Sequence, residues 1–114
     1  VHAVMYASEA TVVKNVKRSA VVQFVKAIAR AESFIHQDQN RARELLKEYN
    51  QLDDKIIDAL AAAYYPVLPH APTIARGGYE RALDFHRFAG YAAPADDTYA
   101  KVVATNLIDV ALKN

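Results

Sequence analysis

The chain has 114 residues with 14 basic against 13 acidic side chains, a net charge of +1, and no cysteine. That length gives one domain at most, and the near balance of charge supplies no sustained positive field of the kind a phosphate backbone requires, so nucleic acid is not the expected partner. Without cysteine there is no disulfide, thiolate nucleophile or zinc–thiolate site, and no apolar run approaches the roughly 18 residues that span a bilayer.

The opening VHAVMYASEA is rich in valine over residues 1–7 and reads as a buried strand. A strand cannot satisfy its own backbone groups, and burying them unpaired costs roughly 1–3 kcal/mol each. This reading therefore places its sheet partners, and the natural start of the protein, upstream of Val1. Everything later reads as helix. The expected class is mainly α, with five to six helices and one N-terminal strand.

The first long helix is expected over 19–37, with Val21, Phe24, Val25, Ile28, Phe34 and Ile35 at three- and four-residue spacing. Its polar arc is narrow, holding only Gln23, Lys26, Arg30, Ser33 and Gln37, so protein should cover most of this helix. Asp38 is placed to cap a second helix ending near Asn50, striped by Ala42, Leu45, Leu46 and Tyr49. Asp53 is placed to cap a third, with Ile56, Ile57, Leu60 and Tyr64 on one face and Pro66 as its stop. These hairpins occupy residues 8–65. The run PVLPHAPT, residues 66–73, holds three prolines in seven residues and predicts an extended crossing.

In the C-terminal part, residues 74–114, a fourth helix over 75–89 should present Tyr79, Ala82, Leu83 and His86 on one face and close at Gly90. Beyond Pro94, Asp96 and Asp97 introduce a short helix through Val103, and Asn106 is placed to cap a last one through Leu112. The similar early hairpins suggest a helical repeat, but their spacing is not sustained past Pro66.

Chemical motifs are few. None of Ser8, Ser19 and Ser33 sits in a nucleophile elbow, and Gly77–Gly78 lacks the further glycines of a dinucleotide fingerprint, so no cofactor is expected. His2, His36, His70 and His86 have no histidine partner at i, i+3 or i+4, the spacing that puts two metal ligands on one helical face. His86 reads as a structural histidine on an apolar face. Glu32 lies among Val21, Val25 and Ile28 with His36 four residues on, which admits a general acid–base pair, although a local ion pair is the preferred reading. Tyr64, Tyr65, Tyr79 and Tyr91 admit an aromatic ligand lining, with core and rim packing preferred.

Taken in order, HAVMYASEA, VVQFVKAIARAESFIHQDQNRARELLKEYNQLDDKIIDAL, YYPVLP and YERALDFHRFAGY resemble the C-terminal part of solute-binding proteins of ABC importers. The group is that of the nitrate, sulfonate and taurine binders, with relatives in thiamine-pyrimidine synthesis. The resemblance implies a part of a two-lobed α/β periplasmic-binding fold in which the strand joins the sheet of an N-terminal lobe that this chain lacks. It also implies an extracytoplasmic, periplasmic setting, a small solute with anions the first class to test, an ABC permease as partner, and capture without chemistry. The strand-ending turn at Tyr6, Ala7 and Ser8 would be the local ligand contact, with Tyr6 and Ser8 as the candidate binding residues. The isolated chain is expected to pair through its free strand into a homodimer. A stand-alone helical module for protein interaction is the alternative.

Overall fold

A computed structural model describes residues 4–8, 10, 15–91 and 98–113. Six α-helices are present among them: α1 (Asn15–Gln37), α2 (Gln39–Asn50), α3 (Asp54–Tyr64), α4 (Arg76–Phe88), α5 (Tyr99–Val102) and α6 (Thr105–Leu112). A single 3₁₀ turn, Tyr65–Val67, follows α3. The chain forms two compact units, one made of Val1–Val25 with Thr73–Asn114 and the other of Lys26–Pro72.

The expected N-terminal strand is not formed over residues 4–7, which carry no regular secondary structure, and residues 1–3 lie outside the described residues. No strand occurs among the described residues, so the α/β part of the expected fold has no support and the mainly α part stands. The physical reason is pairing. Valine and tyrosine favour a pleated surface only where a neighbouring strand takes up their backbone groups, and no described segment offers one.

In the first unit the core is Val22 and Val25 of α1 against Leu107 and Ala111 of α6, with Val21 and Ile108 packed around it. Val103, just after α5, is also buried. The Tyr99 hydroxyl donates to the Ile74 carbonyl at 2.6 Å, and its ring meets Tyr79 of α4 edge-on with centroids 5.7 Å apart. Helix α4 ends as anticipated at Gly90, whose φ of 80° is the left-handed conformation that glycine adopts without strain. Gly90 N–H donates to Arg87 and Tyr91 N–H to His86, both at 3.0 Å, the paired bonds of a Schellman cap. Helix α6 starts at Thr105, one residue before the Asn106 expected to cap it, with no side-chain cap on Ala104. The expected capping pair Asp96 and Asp97, with Pro94, lies outside the described residues.

The second unit is built by capping. The Asp38 N–H closes α1 on the Phe34 carbonyl at 2.9 Å while the Asp38 carboxylate accepts from Arg41 N–H at 3.0 Å, so one residue ends a helix and starts the next. Asp53 starts α3 in the same way, accepting from Ile56 N–H at 3.0 Å. Between them Gln51 holds a left-handed φ of 53° and returns its N–H to the Lys47 carbonyl. Ala42 and Ile57 form the buried seam of the α2–α3 hairpin, Ile57 being 1% exposed. One edge of the hairpin is ionic. Arg43 donates from Nε to Asp58 at 2.6 Å and from Nη2 to Asp54 at 3.1 Å, and Lys47 joins the same Asp54 oxygen at 2.8 Å.

Packing of this kind separates substitutions sharply. Ile57→Ala should lower stability by about 2–5 kcal/mol through the cavity it leaves, whereas Phe88→Ala, at a side chain 90% exposed, should stay within about 0.5 kcal/mol. Gln51→Gly should raise stability by about 0.5–1 kcal/mol by relieving the left-handed backbone. Urea unfolding followed by circular dichroism checks all three.

Candidate functional site

In the second unit, Glu32 and His36 lie at the C-terminal end of α1 and His70 on the segment that follows α3. Helical spacing sets Glu32 one turn before His36 on the same face. Behind Pro66 the chain leaves α3 through the 3₁₀ turn, with Leu68 N–H bonded to the Tyr64 carbonyl at 2.9 Å, and this brings residues 68–70 against α1. His36 Nε2 lies 3.1 Å from the Leu68 carbonyl oxygen and 3.2 Å from that of Pro69. Two acceptors on one nitrogen mean that Nε2 carries the proton and donates. The His36 and His70 rings are stacked, with centroids 3.8 Å apart and planes 22° from parallel.

Glu32 Oε2 is shut off from solvent and has no hydrogen-bond partner. Burial pushes its carboxyl above the usual range, and the nearby His36 draws it partly back. An acid and an imidazole one turn apart can exchange protons with a substrate only where they face a cleft. Two shallow surface depressions are present in this unit, one lined by Glu44, Lys47, Glu48, Gln51 and Leu52 and the other by Gln39, Ala61, Ala62, Tyr65 and Pro66. Neither includes Glu32 or His36. The expected local ion pair is not formed either, since Glu32 Oε2 has no partner and His36 Nε2 is bonded to the Leu68 and Pro69 carbonyls.

The other sequence candidates are dispersed. Tyr6, 91% exposed, and Ser8, also exposed, lie on the irregular segment 4–8, away from any strand end. Tyr64 and Tyr65 belong to the second unit and Tyr79 and Tyr91 to the first, and the Tyr65 hydroxyl donates to the Gln39 carbonyl at 3.3 Å. His86 is exposed rather than on a covered apolar face. Its ring meets Tyr91 edge-on at 5.5 Å, the contact between third-from-last and second-after positions that accompanies a Schellman cap.

His2 lies outside the described residues, and no group of three or more metal-ligating side chains occurs among them. No described helix is long and apolar enough to cross a membrane.

His70 was not singled out beside His36 because 34 residues and a run of prolines separate them. Helical spacing is blind to such a contact. The ionic edge around Asp54 was missed for a related reason, since it joins residues of two helices. There Lys47, and then Arg43, hold the Asp54 carboxyl below its usual range.

The two acids give opposite pH dependences. Because the folded chain raises the Glu32 pKa, the stability it contributes is present below the unfolded value and lost as pH rises through the folded one. Glu32→Gln should therefore be more stable than the wild type at pH 7 and level with it near pH 4, read by urea unfolding at the two pH values. For Asp54, held low, the contribution is present above the unfolded value and lost as pH falls through the folded one.

Family models, curated proteins and solved structures were all compared with this chain, and nothing matches it.

Proposed function

We propose that this chain is a helical part of an extracytoplasmic solute-binding protein of the ABC-importer type, working by contact with other protein and not by chemistry of its own. One observation carries the coarse form of this reading. Along α1, Ala27, Ile28, Ala31 and Phe34 follow at three- and four-residue spacing and are all exposed. Ile28 and Phe34 are large, and Ala27 and Ala31 beside them leave hollows into which side chains of a covering layer fit. A soluble helix rarely leaves so regular an apolar strip uncovered unless protein covers it.

The finer form rests on the order of motifs that resembles the nitrate, sulfonate and taurine binders. In that arrangement the strip packs on the sheet of a first lobe, and closure of two lobes around a small solute presents a form recognised by the permease. The site itself would lie mainly in the other parts of the protein, with Tyr6 and Ser8 the local candidates.

A second reading, the stand-alone interaction module, is favoured by the α2–α3 hairpin. It closes itself through Asp38, Asp53 and the Arg43 edge, yet leaves Leu45, Leu46, Ile56 and Leu60 exposed. Such a face can take an amphipathic partner helix.

A photo-crosslinking residue at Ala31, introduced into the natural protein in its source cell, separates the readings. The solute-binding reading expects a crosslink within one polypeptide, and the module expects one to a separate protein. No crosslink to protein at all overturns both. Ile28→Glu should abolish the crosslink while changing the stability of the chain by less than about 0.5 kcal/mol.

A further inference from the structure

We propose that the stacked His36–His70 pair is a proton-operated clasp that fastens the proline-rich segment after α3 to the end of α1 and releases it when both rings are charged. The clasp has two parts with different responses to a proton. The His36 Nε2–H donates to the Leu68 and Pro69 carbonyls at 3.1 and 3.2 Å, and this donor is present in the neutral and the charged ring alike. The stack is different. Two neutral rings, or one neutral and one charged, attract at a centroid distance of 3.8 Å, whereas two imidazolium ions there repel.

The surroundings determine how many charges can be tolerated. On α1 the titratable group beside the pair is Glu32, four residues before His36. From the segment come His70 itself and the two backbone carbonyls, which together can favour one cation. The next acid along the chain, Asp38, is engaged as the cap of α2 through the Arg41 N–H. Pro66, Pro69 and Pro72 remove three donors from this stretch, so side-chain fastening replaces part of what a backbone ladder would supply. The clasp lies wholly within the second unit and operates whichever protein covers α1.

The test is amide exchange of Leu68, His70 and Ala71 in the full chain at pH 7.5 and pH 5, corrected for the intrinsic pH dependence of exchange, in the wild type and in His70→Phe. Phenylalanine keeps a flat ring for the stack and cannot charge. Protection in the wild type is expected to fall at least tenfold at pH 5, while His70→Phe changes by less than twofold. A wild-type change below twofold, or an equal fall in both proteins, overturns the proposal. Should the phenylalanine variant be open at both pH values, the wild type decides alone. Its His36 and His70 Cε1 protons are expected to lose their mutual ring-current shifts on acidification, and persistence of those shifts at pH 5 overturns the clasp.

Discussion

The constraint that governs this molecule is the width of the apolar arc on α1. From Ser19 onward its polar arc holds Gln23, Lys26, Arg30, Ser33 and Gln37, and the apolar and small residues between them take up a wide share of the circumference. The helix serves both compact units in turn. Its residues up to Val25 supply half of the first unit's core, through Val22 and Val25, and its residues from Lys26 onward belong to the second. What this packing leaves over is the strip from Ala27 to Phe34, and the functional reading follows from that remainder.

Where the chain cannot bury much, it relies on local devices. The second unit has only Ala42 and Ile57 as buried hydrophobics among its described residues, and its order comes from Asp38, Asp53, the Arg43 edge and the His36 contact with residues 68–70. Each is weak when exposed, and together they fix helix ends rather than fill a core. A fold held in this way opens in parts more readily than one built around a single large core. A proton-sensitive contact is well placed there, because a small change in one interaction is a large share of what holds its segment.

The sequence disclosed whatever depends on near neighbours. Asp38, Asp53, Pro66 and Gly90 act within four residues of their own positions, and the helix ends they mark fall within a residue or two of where they were expected. The N-terminal strand was misread because valine content reports compatibility with a sheet and not the presence of one. His86 was expected on an apolar face, but the wheel does not say whether anything covers a face, and His86 is exposed. The His36–His70 stack, joining a helix to a proline-rich turn far along the chain, has no periodic signature.

The hairpin's ionic edge and the strip on α1 respond to salt in opposite senses. Asp54 shares one carboxylate oxygen between Lys47 and Arg43 at the surface, an arrangement that dissolved ions screen within a few ångströms at high concentration. The strip is apolar, and strongly excluded salts such as sulfate make its exposure less favourable. A rising concentration of sulfate thus weakens the ionic edge of the α2–α3 hairpin while making exposure of the α1 strip less favourable. Ionic composition therefore acts on these two surfaces in opposite directions.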